Sequence, residues 1–316
     1  AGPVRAQTFT STVLTVPALG NVQSGQTGNT TFRIAPPGGA VTVIGGTGLR
    51  VSAGSAAALI RVNCGSQSQC DNSNALVSIT RSGTPTRRGV ALANFSVATG
   101  SGATATIVSV PAAANTISFQ IGPVGQNNNK TFWLGFDYPI QGDNSAAATG
   151  TAASAFTVTV SKTNGSSSSA TVGNATATVF RRVTISQAST LAFGMVSHPF
   201  SGTGTVTIDP STVACVRSVS GSGVVAFPVP ATSCPTYTVT GEGGQVFSTT
   251  LGALTMTGPG SIPVALTKFP AGNQTLSNAL GAAGTTSFRV GGTFNTSPAT
   301  PPGGYTGTFS VTVQYN

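Results

Sequence analysis

Short runs of alternating apolar and polar residues recur along the chain between turns rich in Gly, Pro, Ser and Asn, a period of two that predicts strands. They fall at residues 30–34, 59–63, 76–80, 105–110 and 131–136 in the first half. In the second half they fall at 179–185, 203–208, 236–240, 288–294 and 305–315. The last run is the clearest. Tyr305, Gly307, Phe309, Val311, Val313 and Tyr315 share one face, and Thr306, Thr308, Ser310, Thr312 and Gln314 share the other, so one face is buried and one wet. No helix is predicted. About seven strands per ~150 residues read as an immunoglobulin-like β-sandwich in an all-β chain.

The pattern also repeats at long range. Leu19-Gly20-Asn21-Val22, followed by Thr31-Phe32-Arg33-Ile34-Ala35-Pro36, is answered by Phe193-Gly194-Met195-Val196, followed by Thr205-Val206-Thr207-Ile208-Asp209-Pro210, both at an offset of 174. Phe132-Trp133-Leu134-Gly135 is answered by Phe288-Arg289-Val290-Gly291 at 156, and Phe156-Thr157-Val158-Thr159-Val160 by Phe309-Ser310-Val311-Thr312-Val313 at 153. Offsets that shrink in order are what insertions and deletions in loops leave behind, so two tandem copies of one domain are expected. The polar stretch 163–169 marks the join. The expected division is an N-terminal extension 1–12, copy one at 13–165, a linker 166–178 and copy two at 179–316.

Composition narrows the function. Of 316 residues only 14 are Lys or Arg and 5 Asp or Glu, 6% charged against a typical ~25%, which excludes a charge-rich helical bundle or coiled coil. The net charge of +9 follows from the scarcity of acids. Apart from the doublets Arg87-Arg88 and Arg181-Arg182, the arginines stand singly on strand-like segments without interleaved aromatics, so no nucleic-acid partner is expected. Cys64 with Cys70 and Cys215 with Cys234 form one sequence-local pair in each half, predicting two disulfides and an oxidising compartment. A metal site needs CxxC-type spacing and His partners, and His198, the one histidine, is distant in sequence from every cysteine; neither metal nor cofactor is expected. No apolar run reaches the ~18 residues of a membrane span, and without a basic-then-apolar leader the numbering is expected to begin at a mature N-terminus.

The second half, from Val183-Thr184-Ile185-Ser186 through Leu191-Ala192-Phe193-Gly194, Tyr237-Thr238-Val239-Thr240-Gly241 and the closing strand, resembles an uncharacterised family of secreted bacterial β-sandwich domains. The alternating C-terminal strand with its penultimate Tyr315 more distantly resembles subunits of chaperone-usher pili, including the spore-coat-protein-U-like branch. That resemblance implies a sandwich lacking its final strand, held by a periplasmic chaperone, exported through an outer-membrane usher, and completed in a homopolymer by the N-terminus of the next subunit. Carried onto this chain, it makes Val4, Ala6 and Thr8 the donated residues and Tyr305, Phe309, Val311, Val313 and Tyr315 the acceptor groove. Within the linker, Ala175 and Ala177 become an intramolecular donor for copy one. Two copies where pilins have one, and the loose alternation of residues 1–12, depart from the pilin pattern.

Chemistry is sparsely supplied. A Ser-His-acid triad would need His198, which stands in the loop-like Ser197-His198-Pro199-Phe200 without a nucleophile elbow, so an exposed loop histidine is the simpler reading. Paired carboxylates would have to come from Asp71, Asp137, Asp143, Asp209 and Glu242. Asp137 and Asp143 share one Gly-containing stretch, but turn formation accounts for Asp143-Asn144 and calcium would lack carboxylates. Trp133, with Tyr138 nearby, is either a core residue or a sugar-stacking platform. The sequons at Asn29, Asn94, Asn164, Asn174, Asn273 and Asn295 follow from composition. The chain therefore reads as a non-enzymatic, secreted filament subunit, the alternative being a carbohydrate- or surface-binding adhesin or surface-layer protein.

Overall fold

Thr116–Ile121 (β9) buries Ile117, Phe119 and Ile121 and exposes Thr116, Ser118 and Gln120, and alternation of this kind builds nearly every element of the protein. The computed structural model describes residues 8–52, 57–100, 102–164 and 167–316, and the chain divides into unit 1, Ala1–Arg182, and unit 2, Val183–Asn316. Both are all-β; the described helix is a single 3-10 turn at Ser68–Asp71.

In unit 1 one sheet runs β1 (Phe9–Thr15), β6 (Ala58–Cys64), β10 (Asn129–Gln141), β3 (Asn29–Ile34), β4 (Val41–Gly45). Residues 132–134 of β10 pair β6 on one edge and β8 (Ala93–Thr99) on the other. The second sheet runs β5 (Leu49–Arg50), β2 (Ala18–Gln23), β12 (Ser169–Phe180), β11 (Gly150–Lys162), β7 (Ala75–Ser82), β9. The core lies between the two. Phe136 of the first sheet lies 6.4 Å from Phe156 of the second, and Phe132 meets Phe119 edge-on at 5.2 Å, contacts worth about 1 kcal/mol each beyond burial.

Unit 2 lays out its first sheet in the same order. It runs β13 (Thr184–Gln187), β16 (Thr236–Glu242), β21 (Ala283–Thr296), β14 (Ser201–Ile208), β15 (Arg217–Ser222), with β19 (Ser261–Phe269) on the other edge of β21 and β18 (Leu254–Thr257) beyond it. Its second sheet has three strands, β20 (Gln274–Thr275), β17 (Val246–Leu251) and β22 (Val311–Tyr315). Register agrees as well as order: Ile34 lies opposite Phe136 and Ile208 opposite Gly292, positions related by the offsets 174 and 156. At the same place in each unit a Cβ is forbidden. On Gly135 it would strike the Ile34 carbonyl and the Pro36 ring; on Gly291, the Ile208 carbonyl and the Pro210 ring.

Both cysteine pairs are bridged, with Cα–Cα distances of 6.4 Å for Cys64–Cys70 and 5.7 Å for Cys215–Cys234. In the chain-entropy picture each stabilises its unit by about 2–4 kcal/mol, the longer 215–234 loop more.

Four segments differ from the sequence reading, each for a local reason. Residues 105–110 do not form one strand, because the segment changes sheets: Thr104 bridges to Thr131 in the first and Ile107 to Ile121 in the second. The run 305–315 is a strand only from Val311, for the same cause, since Thr306 bridges Thr257 of β18 whereas Val311 pairs with Leu251 of β17. The run 179–185 is broken because its first part belongs to unit 1, where Phe180 O accepts the Ser24 N–H and the Arg182 N–H donates to Asp143. The polar stretch 163–169, outside the undescribed 165–166, turns β11 into β12.

Gly135→Ala and Gly291→Ala should each destabilise its own unit by roughly 2 kcal/mol or more through overpacking. Denaturant unfolding of the two variants should show separate losses, and wild-type stability in either would remove the shared close approach as a constraint. Tyr138 offers a second test. Its hydroxyl is buried without a hydrogen-bond partner among the described residues, while the neighbouring Ser154 hydroxyl donates to Val90 O at 2.8 Å. Burial pushes the phenol up to about 12, with Ser154 acting weakly in the opposite direction. An unfolded phenol titrates near 10, so the unfolded state loses its proton first. The stability from the neutral phenol is therefore complete below about pH 10 and falls by roughly 2–3 kcal/mol by about pH 12. Tyr138→Phe should be near neutral at pH 7 and lose stability less steeply than wild type above about pH 10, measured by urea unfolding.

Candidate functional site

The site is a strand edge, and unit 1 shows what a covered one looks like. β12 pairs β11 antiparallel over its length, with Phe156 opposite Gly173, Ser154 opposite Ala175 and Ala152 opposite Ala177. Its far edge pairs β2 in parallel, Val179 beside Val22. The inward positions are small because the space is narrow: the Phe156 ring fills the place where a Cβ on Gly173 would stand, and Ala175 and Ala177 are 1% and 2% exposed in the core. Under this strand Phe156, Val158 and Val160 are fully buried.

β22 is the counterpart of β11 in unit 2. Register places it so: Ile79 of β7 faces Val158, and Leu251 of β17 faces Val311, which is Val158 shifted by 153. On its other edge, where β11 has β12, β22 has no strand among the described residues. Ser310 O accepts the Gly252 N–H and the Asn316 N–H donates to Val246 O, so the even-numbered residues point their backbone groups at β17. By alternation Val311 and Val313 turn theirs to the open edge. Phe309, Val311 and Val313 are only half-buried. Segment 192–197, the stretch offset by 174 from β2, is held by isolated bridges of Ala192 to Ser233 and Val196 to Ala226 and is part of no sheet strand among the described residues.

The remaining expected residues are placed as follows. Val4 and Ala6 lie outside the described residues. Thr8 is buried and its carbonyl accepts the Gly65 N–H, while Phe9–Thr15 is strand β1, so Thr8 is already part of the packed unit. Tyr315 is buried, its hydroxyl accepting the Glu242 N–H at 2.7 Å. Tyr305 donates to Pro301 O instead of joining the strand.

The candidate acids are held by the fold. Arg33 clamps Asp137 at 2.7 and 2.9 Å, with Asn94 on the same carboxylate, and the pairing raises the arginine further above its ordinary value. Asp143 accepts from Arg88 and Ser24. The Ser211 N–H holds Asp209 below the usual carboxylate range, Asp71 accepts the Gln126 N–H, and Glu242 accepts the Gly281 N–H. His198 is exposed, its Nδ1 3.1 Å from Pro199 O, and no group of three metal-ligating side chains occurs among the described residues. Trp133 is half-buried against the unit 1 core. No helix among the described residues is long and apolar enough to cross a membrane.

No curated protein matches the chain. Among solved structures, the CsuC-CsuE chaperone-tip adhesion subunit pre-assembly complex from archaic chaperone-usher Csu pili of Acinetobacter baumannii aligns at 8% identity and TM-score 0.24, over 96% of this chain and 99% of that one. A chaperone-tip adhesin complex of CFA/I fimbriae biogenesis aligns at 8% and 0.22, over 100% and 86%, and the secreted serine protease VesC of Vibrio cholerae at 11% and 0.16, over 99% and 51%. Scores so low carry no argument about this chain. The sequence comparison is specific to one half: residues 183–315, which are unit 2, match the family described as a domain of unknown function (DUF4402).

Proposed function

We propose that this chain is a structural subunit of an extracellular bacterial filament, joined head to tail by donation of a β-strand. One observation carries the reading: β11 is sealed by β12, whereas the similarly placed β22 has no strand on its other edge among the described residues, over half-buried Phe309, Val311 and Val313. An uncovered apolar edge is a template for pairing with another chain. The shared strand order and register of the first sheets support reading the units as copies of one domain, with β12 the internal donor of the first.

The donor to unit 2 is the segment 1–7 of the next molecule. Val4 and Ala6 enter beside β22, Gly2 extends the same small-residue spacing as Gly173, Ala175 and Ala177, and Arg5 and Gln7 remain in solvent. Main-chain hydrogen bonds supply most of the affinity, because such small side chains bury little apolar area. A contact between unlike faces does not close, so it propagates a fibre. Before assembly the open edge needs a cover, which is the place for a periplasmic chaperone, with an outer-membrane usher for export. Two disulfides fit that route. The adhesin alternative has less support, since the aromatic that would serve it, Trp133, packs against the core. No catalytic activity is part of the proposal.

In the soluble subunit the Val311 and Val313 amides should exchange with solvent deuterium much faster than those of Val158 and Val160, and assembly should slow them. Removing residues 1–7 should leave monomers or chaperone-bound subunits in electron micrographs. Normal fibres from the truncated chain would eliminate the N-terminus as donor, and full protection of Val311 and Val313 in the monomer would eliminate the open edge.

A further inference from the structure

A second surface, independent of the strand edge, lies wholly in unit 1. The doublets Arg87-Arg88 and Arg181-Arg182, far apart in sequence, converge on the segment 142–150. Arg87 Nη1 donates to Thr149 O at 2.6 Å and Arg181 Nη1 to Thr149 Oγ1 at 2.7 Å, so both guanidinium groups are anchored on a single residue. Gly150 lies close against the first of them; a Cβ there would stand 3.3 Å from Arg87 Nη1. Arg88 is buried and neutralised by Asp143. The Arg182 backbone N–H also reaches Asp143, while its side chain extends to Gln26 Oε1 at 3.1 Å.

The segment 142–150 thus gathers four arginines, and the carboxylate within it, Asp143, is already paired with Arg88. Arg87 and Arg182 are exposed and form no ion pair among the described residues. A guanidinium has five N–H donors, and one or two contacts with oxygen acceptors leave most of the fork facing solvent. Planar forks fixed in place match the paired oxygens of carboxylates and sulfates, and like charges held together gain most from an anion that bridges them.

We propose that this arginine cluster docks an acidic polysaccharide, whose successive carboxylate or sulfate groups engage Arg87 and Arg182. Repeated, spaced anions suit spaced cations better than a single small ion does. Nucleic acid fits less well, because tracking a single strand needs exposed aromatic platforms, and Phe180, the aromatic next to the cluster, is buried.

The test is binding of the full chain to immobilised alginate and dextran sulfate at about 50 mM salt, with neutral dextran and duplex DNA as comparators. Wild type should bind both acidic polymers, weaken at about 200 mM salt, and ignore neutral dextran. Arg182→Gln, which gives up only the contact with Gln26, and Arg87→Lys, which keeps the charge and loses the fork, should each weaken binding by about fivefold or more, the pair together more than tenfold. Arg81→Gln, an exposed arginine of β7 outside the cluster, should bind as wild type. Unfolding midpoints separate a docking defect from a folding one; if Arg87→Lys lowers its midpoint, Arg182→Gln decides. Absence of binding, an equal loss in Arg81→Gln, or duplex DNA bound as tightly as the acidic polymers would each overturn the proposal, the last two by reducing it to the protein's overall charge.

Discussion

Every interior strand has two edges, and each edge carries backbone donors and acceptors that are costly to bury unpaired. In unit 1 the constraint is met from within, because β12 fills the space between β11 and β2 and satisfies both. The result is a continuous core in which β12 contributes Ala175, Ala177 and Val179 beside Phe156 and Val158. In unit 2 no strand among the described residues lies on the corresponding edge of β22, and Phe247, Phe288 and Tyr315 are buried apart from the group around Val206, Ile208 and Phe294. A strand inserted beside β22 would supply both the missing pairing and the missing contact.

The first sheets tolerate this difference because their geometry is fixed independently. Gly135 under Pro36 and Gly291 under Pro210 let two backbones approach so closely that neither β10 with β3 nor β21 with β14 can slip. A slip of one residue would also turn each apolar face to solvent. The scarcity of acids has a related effect. All five accept hydrogen bonds that fix them in the fold, and five carboxylates are too few to balance the arginines that reach the surface.

Much of this was legible in the sequence. The alternation at 288–294, the matched runs 132–135 and 288–291 and the cysteine pairs correspond to observed strands and bridges, because burial on one face imposes a period of two that needs no tertiary knowledge, whereas 193–196 forms no strand. Alternation says nothing about a strand's partner, so 105–110 and 305–310 read as strands although each crosses from one sheet to the other. The convergence of Arg87 with Arg181 on Thr149 left no local signal, since it depends on two chain segments closing on a third.

The strand that matters most, β12, was also the least visible by composition, and the reason is physical. Its inward positions Gly173, Ala175 and Ala177 carry almost no apolar area, so hydrophobic periodicity is faint even though the strand is central. What holds it is hydrogen bonding along both edges, and what selects it is size, because the Phe156 ring leaves no room for a side chain at Gly173. A strand of this kind gains little from collapse alone and gains its stability only when both neighbours are already in place. The same low apolar content would suit the donated segment proposed above, because it limits indiscriminate association and leaves main-chain pairing to decide where such a segment binds.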